Sequence, residues 1–240
     1  MSSSSVRLTV LAALFVSFTP AWAGDALDER IARVENGLRL PFAIEGRPVP
    51  TAGIAQRMAA LNVPGVSVAV INKGKIEWAR GYGVVEAGSS RAVSTETLFQ
   101  AASISKPVTA LGALQLAEQG KLSLDEDVNN KLIGWKLPAG AQTAESPVTL
   151  RKLLSHSAGT TVHGFRGYAA GEAVPTLAQL LDGAKPANSG PVRVDLPPGA
   201  QSRYSGGGFS IAQLLMTSLS GPDFAPLMTD LVLGPLGMKH

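Results

Sequence analysis

Two stretches of this sequence carry residue types that can do chemistry at the spacing they hold. Ser103-Ile104-Ser105-Lys106 sets a hydroxyl and an amine three residues apart. On a helix that spacing puts both side chains on one face, within reach of each other. The helix start adds partial positive charge, which together with burial favours an uncharged amine, so Lys106 is a candidate proton acceptor for Ser103. A serine hydroxyl is a weak nucleophile until such a base stands beside it. Arg203-Tyr204-Ser205-Gly206 follows Leu196-Pro197-Pro198-Gly199, and a tyrosine after such a turn can project its phenol into a cleft. A nearby ammonium there favours the phenolate, a competent base. Each stretch also has a plainer reading: a capping serine with a solvated lysine, and a core tyrosine with its hydroxyl at the surface. By ordinary composition about one serine in ten has a lysine three places on, so the tetrapeptide alone decides nothing.

The surrounding elements supply the context. Thr51 to Asn62 reads as a short helix with Ile54, Met58 and Leu61 on one face, stopped by Pro64 and Gly65. Val66 to Ile71 is an apolar strand, Asn72-Lys73-Gly74 a turn, and Lys75 to Val85 a second strand. The first strand of this hairpin is apolar on both faces, as in a sheet covered by helices. Phe99 to Ser103 leads into a helix on which Val108, Leu111, Leu114 and Ala117 recur at helical spacing, up to a stop at Gly120. Pro107 lies in its first turn, where a missing N–H forfeits no hydrogen bond. Thr149 is expected to cap a helix through Leu154, and Thr176 another through Leu181. Pro186, Pro191, Pro197 and Pro198 mark residues 184–200 as a loop over the surface, placed where it could line a substrate cleft. A helix from near Gly208 through Ser218 carries a buried stripe of Ile211, Leu214 and Leu215, and Asp223 caps a last one. The serine–lysine pair therefore opens a long amphipathic helix behind a sheet hairpin.

Composition narrows the chemistry further. The 240 residues contain no cysteine, which excludes a thiol nucleophile, a disulfide framework and cysteine-ligated metal sites, and only three histidines, which argues against a histidine-rich metal centre. A hydrophobic share of 45% with 16% charged residues argues for a packed core rather than disorder. The formal net charge of +3 comes without a basic run or aromatic-studded basic stripe, so nucleic acid is not expected as a partner. Residues 1–23 read as a secretory signal: Arg7, an apolar stretch from Leu8 to Phe18, Pro20, then the A-x-A pattern Ala21-Trp22-Ala23. The apolar run is shorter than the roughly 20 residues that span a bilayer, so cleavage is expected rather than a stable membrane anchor. The mature domain is then 24–240, periplasmic or secreted from a bacterium.

Taken in order, these stretches resemble the serine β-lactamase and penicillin-binding-protein superfamily, nearest its class C β-lactamase and esterase-like branch. The likeness runs from Asn62-Val63-Pro64-Gly65-Val66 and Phe99-Gln100-Ala101-Ala102-Ser103-Ile104-Ser105-Lys106 through Gly120-Lys121-Leu122-Ser123-Leu124-Asp125. It continues through Leu153-Leu154-Ser155-His156-Ser157-Ala158-Gly159 and Pro198-Gly199 to Tyr204-Ser205, and ends in Pro235-Leu236-Gly237-Met238. The resemblance implies an α/β fold of the β-lactamase/DD-peptidase type, a sheet subdomain beside a mostly helical one. It implies no cofactor and no metal, with Ser103 forming an acyl-enzyme and Lys106 deprotonating it or tuning its partner. Tyr204 would stand in the Tyr-x-Asn position and relay protons to the leaving group and the deacylating water. The Ser103 N–H would be one oxyanion-hole donor. His156 would pack or hydrogen-bond.

Two departures from the family's pattern shape the expectations. Gly206 stands where Tyr-x-Asn has its asparagine, and no Lys-Thr-Gly or His-x-Gly occurs. That third motif lies on a strand that also supplies the second oxyanion donor, so we expect the domain to be incomplete at its C-terminus, lacking the later sheet strands. The expected activity is acyl transfer on an ester or amide, with esterase, D-alanyl peptidase and β-lactam-type substrates all open. Esterase or peptidase-like turnover ranks above β-lactam hydrolysis because of Gly206. The alternative is a non-catalytic remnant that binds cell-wall peptide or a protein partner.

Overall fold

The computed structural model describes residues 22–39, 42–221 and 223–238. The signal reading over 1–23 lies outside these, except that Trp22 and Ala23 open helix α1 (Trp22–Asn36). Among the described residues, no helix is long and apolar enough to cross a membrane. The chain divides into two units, Met1–Leu98 and Phe99–His240.

In the first unit, strands β1 (Leu38–Arg39) and β2 (Thr51–Ala52) form a short antiparallel pair, followed by helix α2 (Ile54–Ala60). Strands β3 (Gly65–Asn72) and β4 (Lys75–Gly83) form the expected hairpin. Its two-residue loop, Lys73-Gly74, holds both φ values positive, at 50° and 73°. A loop with two positive φ values turns with the hand that matches the strand twist, and a glycine at its second position makes this inexpensive. Helix α1 is fastened to β4 by ion pairs from Arg30 to Glu77 and from Arg80 to Glu35. Glu35 also accepts from the Tyr82 hydroxyl at 2.8 Å. Strand β3 departs from expectation. Its apolar residues are not buried on both faces: Val66, Val68 and Val70 are half-buried, while Ile71 is 68% exposed. Only one face of this two-stranded ribbon is covered within its unit, so composition alone overstated its burial.

The second unit is helical: α3 (Ser105–Glu118), α4 (Ala141–Ala144), α5 (Leu150–Leu154), α6 (Leu177–Asp182), α7 (Gly206–Ser220) and α8 (Phe224–Met228). Helix α7 is central, packing against α3, α5, α6 and α8. The core it organises includes Leu116, Leu150, Leu153, Leu181, Ile211 and Met216, all almost fully buried. Thr149 and Thr176 cap α5 and α6 by accepting from the N–H groups of Lys152 and Gln179.

Four details correct the sequence reading. Helix α3 buries Thr109, Gly112, Ala113 and Leu116, whereas Leu111 and Leu114 are 51% and 45% exposed. The small Gly112 decides the face, because Met228 and Met216 pack where its Cβ would stand. Helix α7 starts at Gly206, since Ser205 caps it by accepting from the Gly208 N–H at 2.9 Å, and Leu214 is only partly buried. Asp223 occupies the N-cap of α8, but its side chain makes no capping bond. The proline-rich loop is not purely superficial: Val192 is fully buried, with its N–H bonded to the Leu181 carbonyl.

Candidate active site

Ser103 lies in a short 3₁₀ turn, Ala102–Ile104, that feeds directly into α3. Lys106, in the first turn of α3, donates to Ser103 Oγ at 3.2 Å, as the three-residue spacing requires. Ala102, just before the serine, takes φ 44°, a left-handed conformation unusual for a residue with a Cβ.

Tyr204 arrives from the far side of the unit, and its hydroxyl is 2.6 Å from Ser103 Oγ. That distance is at the short end of the hydrogen-bond range for two oxygens. Both neighbours of Tyr204 are tied to one residue. The Arg203 N–H donates to the His156 carbonyl at 2.7 Å, and the Ser205 N–H donates to His156 Nδ1 at 3.2 Å. The phenol ring contacts two imidazoles, with centroid distances of 4.4 Å to His156 and 4.8 Å to His163. Lys106 Nζ stands 4.8 Å from the centroid of the same ring and 5.7 Å from that of Phe209.

The electrostatics follow from this arrangement. Hydrogen bonding to Lys106, then to Ser103, holds the Tyr204 phenol below its ordinary value, so its phenolate is more accessible than that of a free tyrosine. Burial, then Lys106, then His163 lower the pKa of His156. Its Nδ1 accepts a backbone N–H, so His156 serves as a neutral prop.

The structure thus brings Ser103, Lys106 and Tyr204 together around a cavity of about 600 Å³. Among the described residues, no carboxylate lines it. Its remaining wall comes from residues the sequence reading passed over: His163, Gly164 and Phe165, which face Gly206. The proline-rich loop of residues 184–200 does not line this cavity. Periodicity gives no signal for a segment such as 161–168, which has neither helix nor strand.

A family model described as Beta-lactamase matches residues 51–240. Penicillin-binding protein 4 of Amycolatopsis lactamdurans is 31% identical over 179 residues, which cover 75% of this chain and 44% of that protein. The β-lactamase/D-alanine carboxypeptidase of Yersinia pestis superposes with a TM-score of 0.59 at 26% identity, covering 73% of this chain and 49% of the other. The hydrolase EstCE1 shares the fold, with a TM-score of 0.66 at 23% identity over 90% of this chain and 52% of its own. The chain belongs to the Beta-lactamase family. The chain spans less than half the length of the curated relatives it matches.

Proposed function

We propose that this protein is an exported serine hydrolase that cleaves an ester or amide through an acyl-enzyme on Ser103. The observation that carries the reading is the Ser103 hydroxyl held at 2.6 Å from Tyr204 Oη and 3.2 Å from Lys106 Nζ. Ser103 Oγ attacks the substrate carbonyl carbon while its proton passes to the Tyr204 phenolate, whose charge Lys106 offsets. Collapse of the tetrahedral species expels the alkoxide or amine, which takes the proton from Tyr204. Water then enters, gives a proton to the same phenolate and attacks the acyl carbon. Ser103 leaves with that proton restored, releasing a carboxylic acid. The two imidazoles fix the phenol ring, so one oxygen can serve both half-reactions.

Gly206 offers no amide to a substrate, which favours esters and simple amides over β-lactams. Export rests on the pattern of residues 1–23, and N-terminal sequencing of natively made protein is expected to start at Gly24. The decisive experiment treats the protein with a fluorophosphonate and maps the adduct by mass spectrometry. We expect one adduct, on Ser103, and none on Ser103→Ala. A folded protein that stays unlabelled and turns over no ester or amide replaces this reading with the non-catalytic one, whereas turnover that disappears in Ser103→Ala excludes the latter.

A further inference from the structure

Three consecutive glycines open α7, a costly choice for a helix, and they are not equivalent. A Cβ on Gly207 would stand 2.7 Å from Val192 Cγ2 and 2.8 Å from the Thr161 carbonyl oxygen. One on Gly208 would stand 2.9 Å from Thr160 Oγ1. Packing imposes both. At Gly206 the same atom would meet the His163 carbonyl oxygen at 3.1 Å and Phe165 Cε2 at 3.4 Å, tight contacts but longer than those at its two neighbours. Packing therefore demands glycine less strictly at 206.

The missing side chain has a different consequence. Behind the catalytic cavity lies a second one of about 230 Å³, and the two share Ala102, Lys106, Phe165 and Gly206 as walls. Phe209 and Phe224 line the second cavity together with Ser105, Thr109, Ser210 and Gln213, and no carboxylate among the described residues does. Its volume exceeds the roughly 150 Å³ that admits a benzene ring. The strap over this junction is held under strain. Val162, a β-branched residue, takes φ 60°. Backbone bonds keep it there: Gly207 N–H to the Val162 carbonyl at 3.0 Å, and Gly206 N–H to the His163 carbonyl at 2.9 Å. The Ser205 hydroxyl donates to the Thr161 carbonyl at 2.7 Å. The strap presents Phe165 to both cavities.

We infer that the second cavity is the acyl subsite, entered over Gly206 and walled by Phe165, and that the enzyme takes esters or amides with a ring-sized apolar acyl group. This rests on the hydrolase reading. An acyl group bonded to Ser103 Oγ runs past the bare Cα of Gly206 and lays its ring among Phe165, Phe209 and Phe224. Small acyl groups leave those rings unfilled, and a cationic one meets Lys106 at the shared wall.

The test compares 4-nitrophenyl phenylacetate with 4-nitrophenyl acetate, each kcat/KM normalised to the ester's own hydroxide-catalysed rate. The full chain is expected to prefer the phenylacetate about tenfold or more, the discrimination a filled apolar pocket supplies. Gly206→Asn, whose side chain crosses the opening, is expected to bring that ratio close to one. Gly206→Ala should lower it less. Phe165→Ala is expected to shift the preference toward a naphthylacetate. An intact protein without preference for the phenylacetate, or a preference that survives both Gly206→Asn and Phe165→Ala, overturns the subsite while leaving the hydrolase reading standing. Failure of Ser103 to take up fluorophosphonate, with neither ester turned over, overturns both.

Discussion

Replacing Tyr204 by phenylalanine is the sharpest perturbation available, because it removes one oxygen and keeps the ring. The His156 and His163 contacts at 4.4 and 4.8 Å involve the ring alone, so they persist in Tyr204→Phe. What disappears is the 2.6 Å bond to Ser103 Oγ, together with the phenol's hydrogen bond to Lys106. A positioned acid–base group contributes about 10²- to 10⁴-fold, and Tyr204 acts in both half-reactions, so kcat is expected to fall by an amount within that range. The pH profile separates chemistry from misplacement. Lys106 and Ser103 lower the Tyr204 pKa, so the active phenolate form is gained as pH rises through that lowered value and lost as pH falls below it. Stopped-flow turnover of a nitrophenyl ester should show this rising limb in the parent protein and not in Tyr204→Phe. Lys106→Ala removes the leading cause of the shift and should move the limb to higher pH. If Lys106 works through Tyr204, the double variant is little worse than Tyr204→Phe alone. A Tyr204→Phe protein that keeps activity within threefold, or retains the limb, refutes the assignment of the base.

Gly207→Ala is expected to destabilise the protein by about 1–3 kcal/mol in urea unfolding, because its methyl meets Val192 and the Thr161 carbonyl inside van der Waals distance. An unchanged midpoint refutes that packing. Ala102→Gly relieves a left-handed alanine, worth about 1–2 kcal/mol, against a gain of about 0.4–1 kcal/mol in unfolded-chain entropy. We therefore expect slightly higher stability with slower ester turnover, and a destabilised variant refutes the strain. Burial, then the bond to Glu35, pushes Tyr82 up to about 12 from an ordinary 10.0. Its contribution to stability is then complete below pH 10 and lost as pH rises toward 12, a loss that Tyr82→Phe should abolish in alkaline unfolding curves. Glu35, whose pKa is lowered chiefly by the Tyr82 hydrogen bond and next by Arg80, contributes in the opposite window, fading as pH falls below its ordinary 4.5.

Some of this architecture is legible in the amino-acid order, and the reasons differ by element. The β3–β4 hairpin announces itself because an apolar run meets a lysine–glycine turn, and local chemistry fixes both. Thr149 and Thr176 are visible for the same reason, since a cap needs only its own next three residues. The buried face of α3 is not, because the helix is apolar around much of its circumference and the choice belongs to Met216 and Met228, more than a hundred residues away. The Ser103–Lys106 pair reads directly from helical spacing. Tyr204 lies 101 residues beyond Ser103, so no spacing rule joins them, and only the ordered resemblance placed it. The strap carrying His163 and Phe165 leaves no periodic trace, and a β-branched valine gives no hint of a left-handed φ.

The distribution of strained backbone connects the fold to the chemistry. Among the described residues, five non-glycine residues have positive φ. Asn62 and Lys73 belong to turns, where short polar or exposed residues tolerate it. The other three surround the cavity: Ala102 precedes Ser103, His156 supports the Tyr204 ring, and Val162 launches the strap. Each such residue costs about 1–3 kcal/mol and persists only where its surroundings over-determine it. Those surroundings are not at the cavity, where Ser103 is exposed, but beneath it. His156 follows α5 by two residues, and the strap is bonded to the first turn of α7. Helices α5 and α7 pack together, and both contribute fully buried residues to the core, among them Leu150, Leu153, Ile211 and Ala212. Truncating one buried leucine costs about 2–5 kcal/mol, comparable with the strain it helps to hold. The phenol and the strap are therefore held from beneath, through His156 after α5 and through the first turn of α7, by the packing of those two helices.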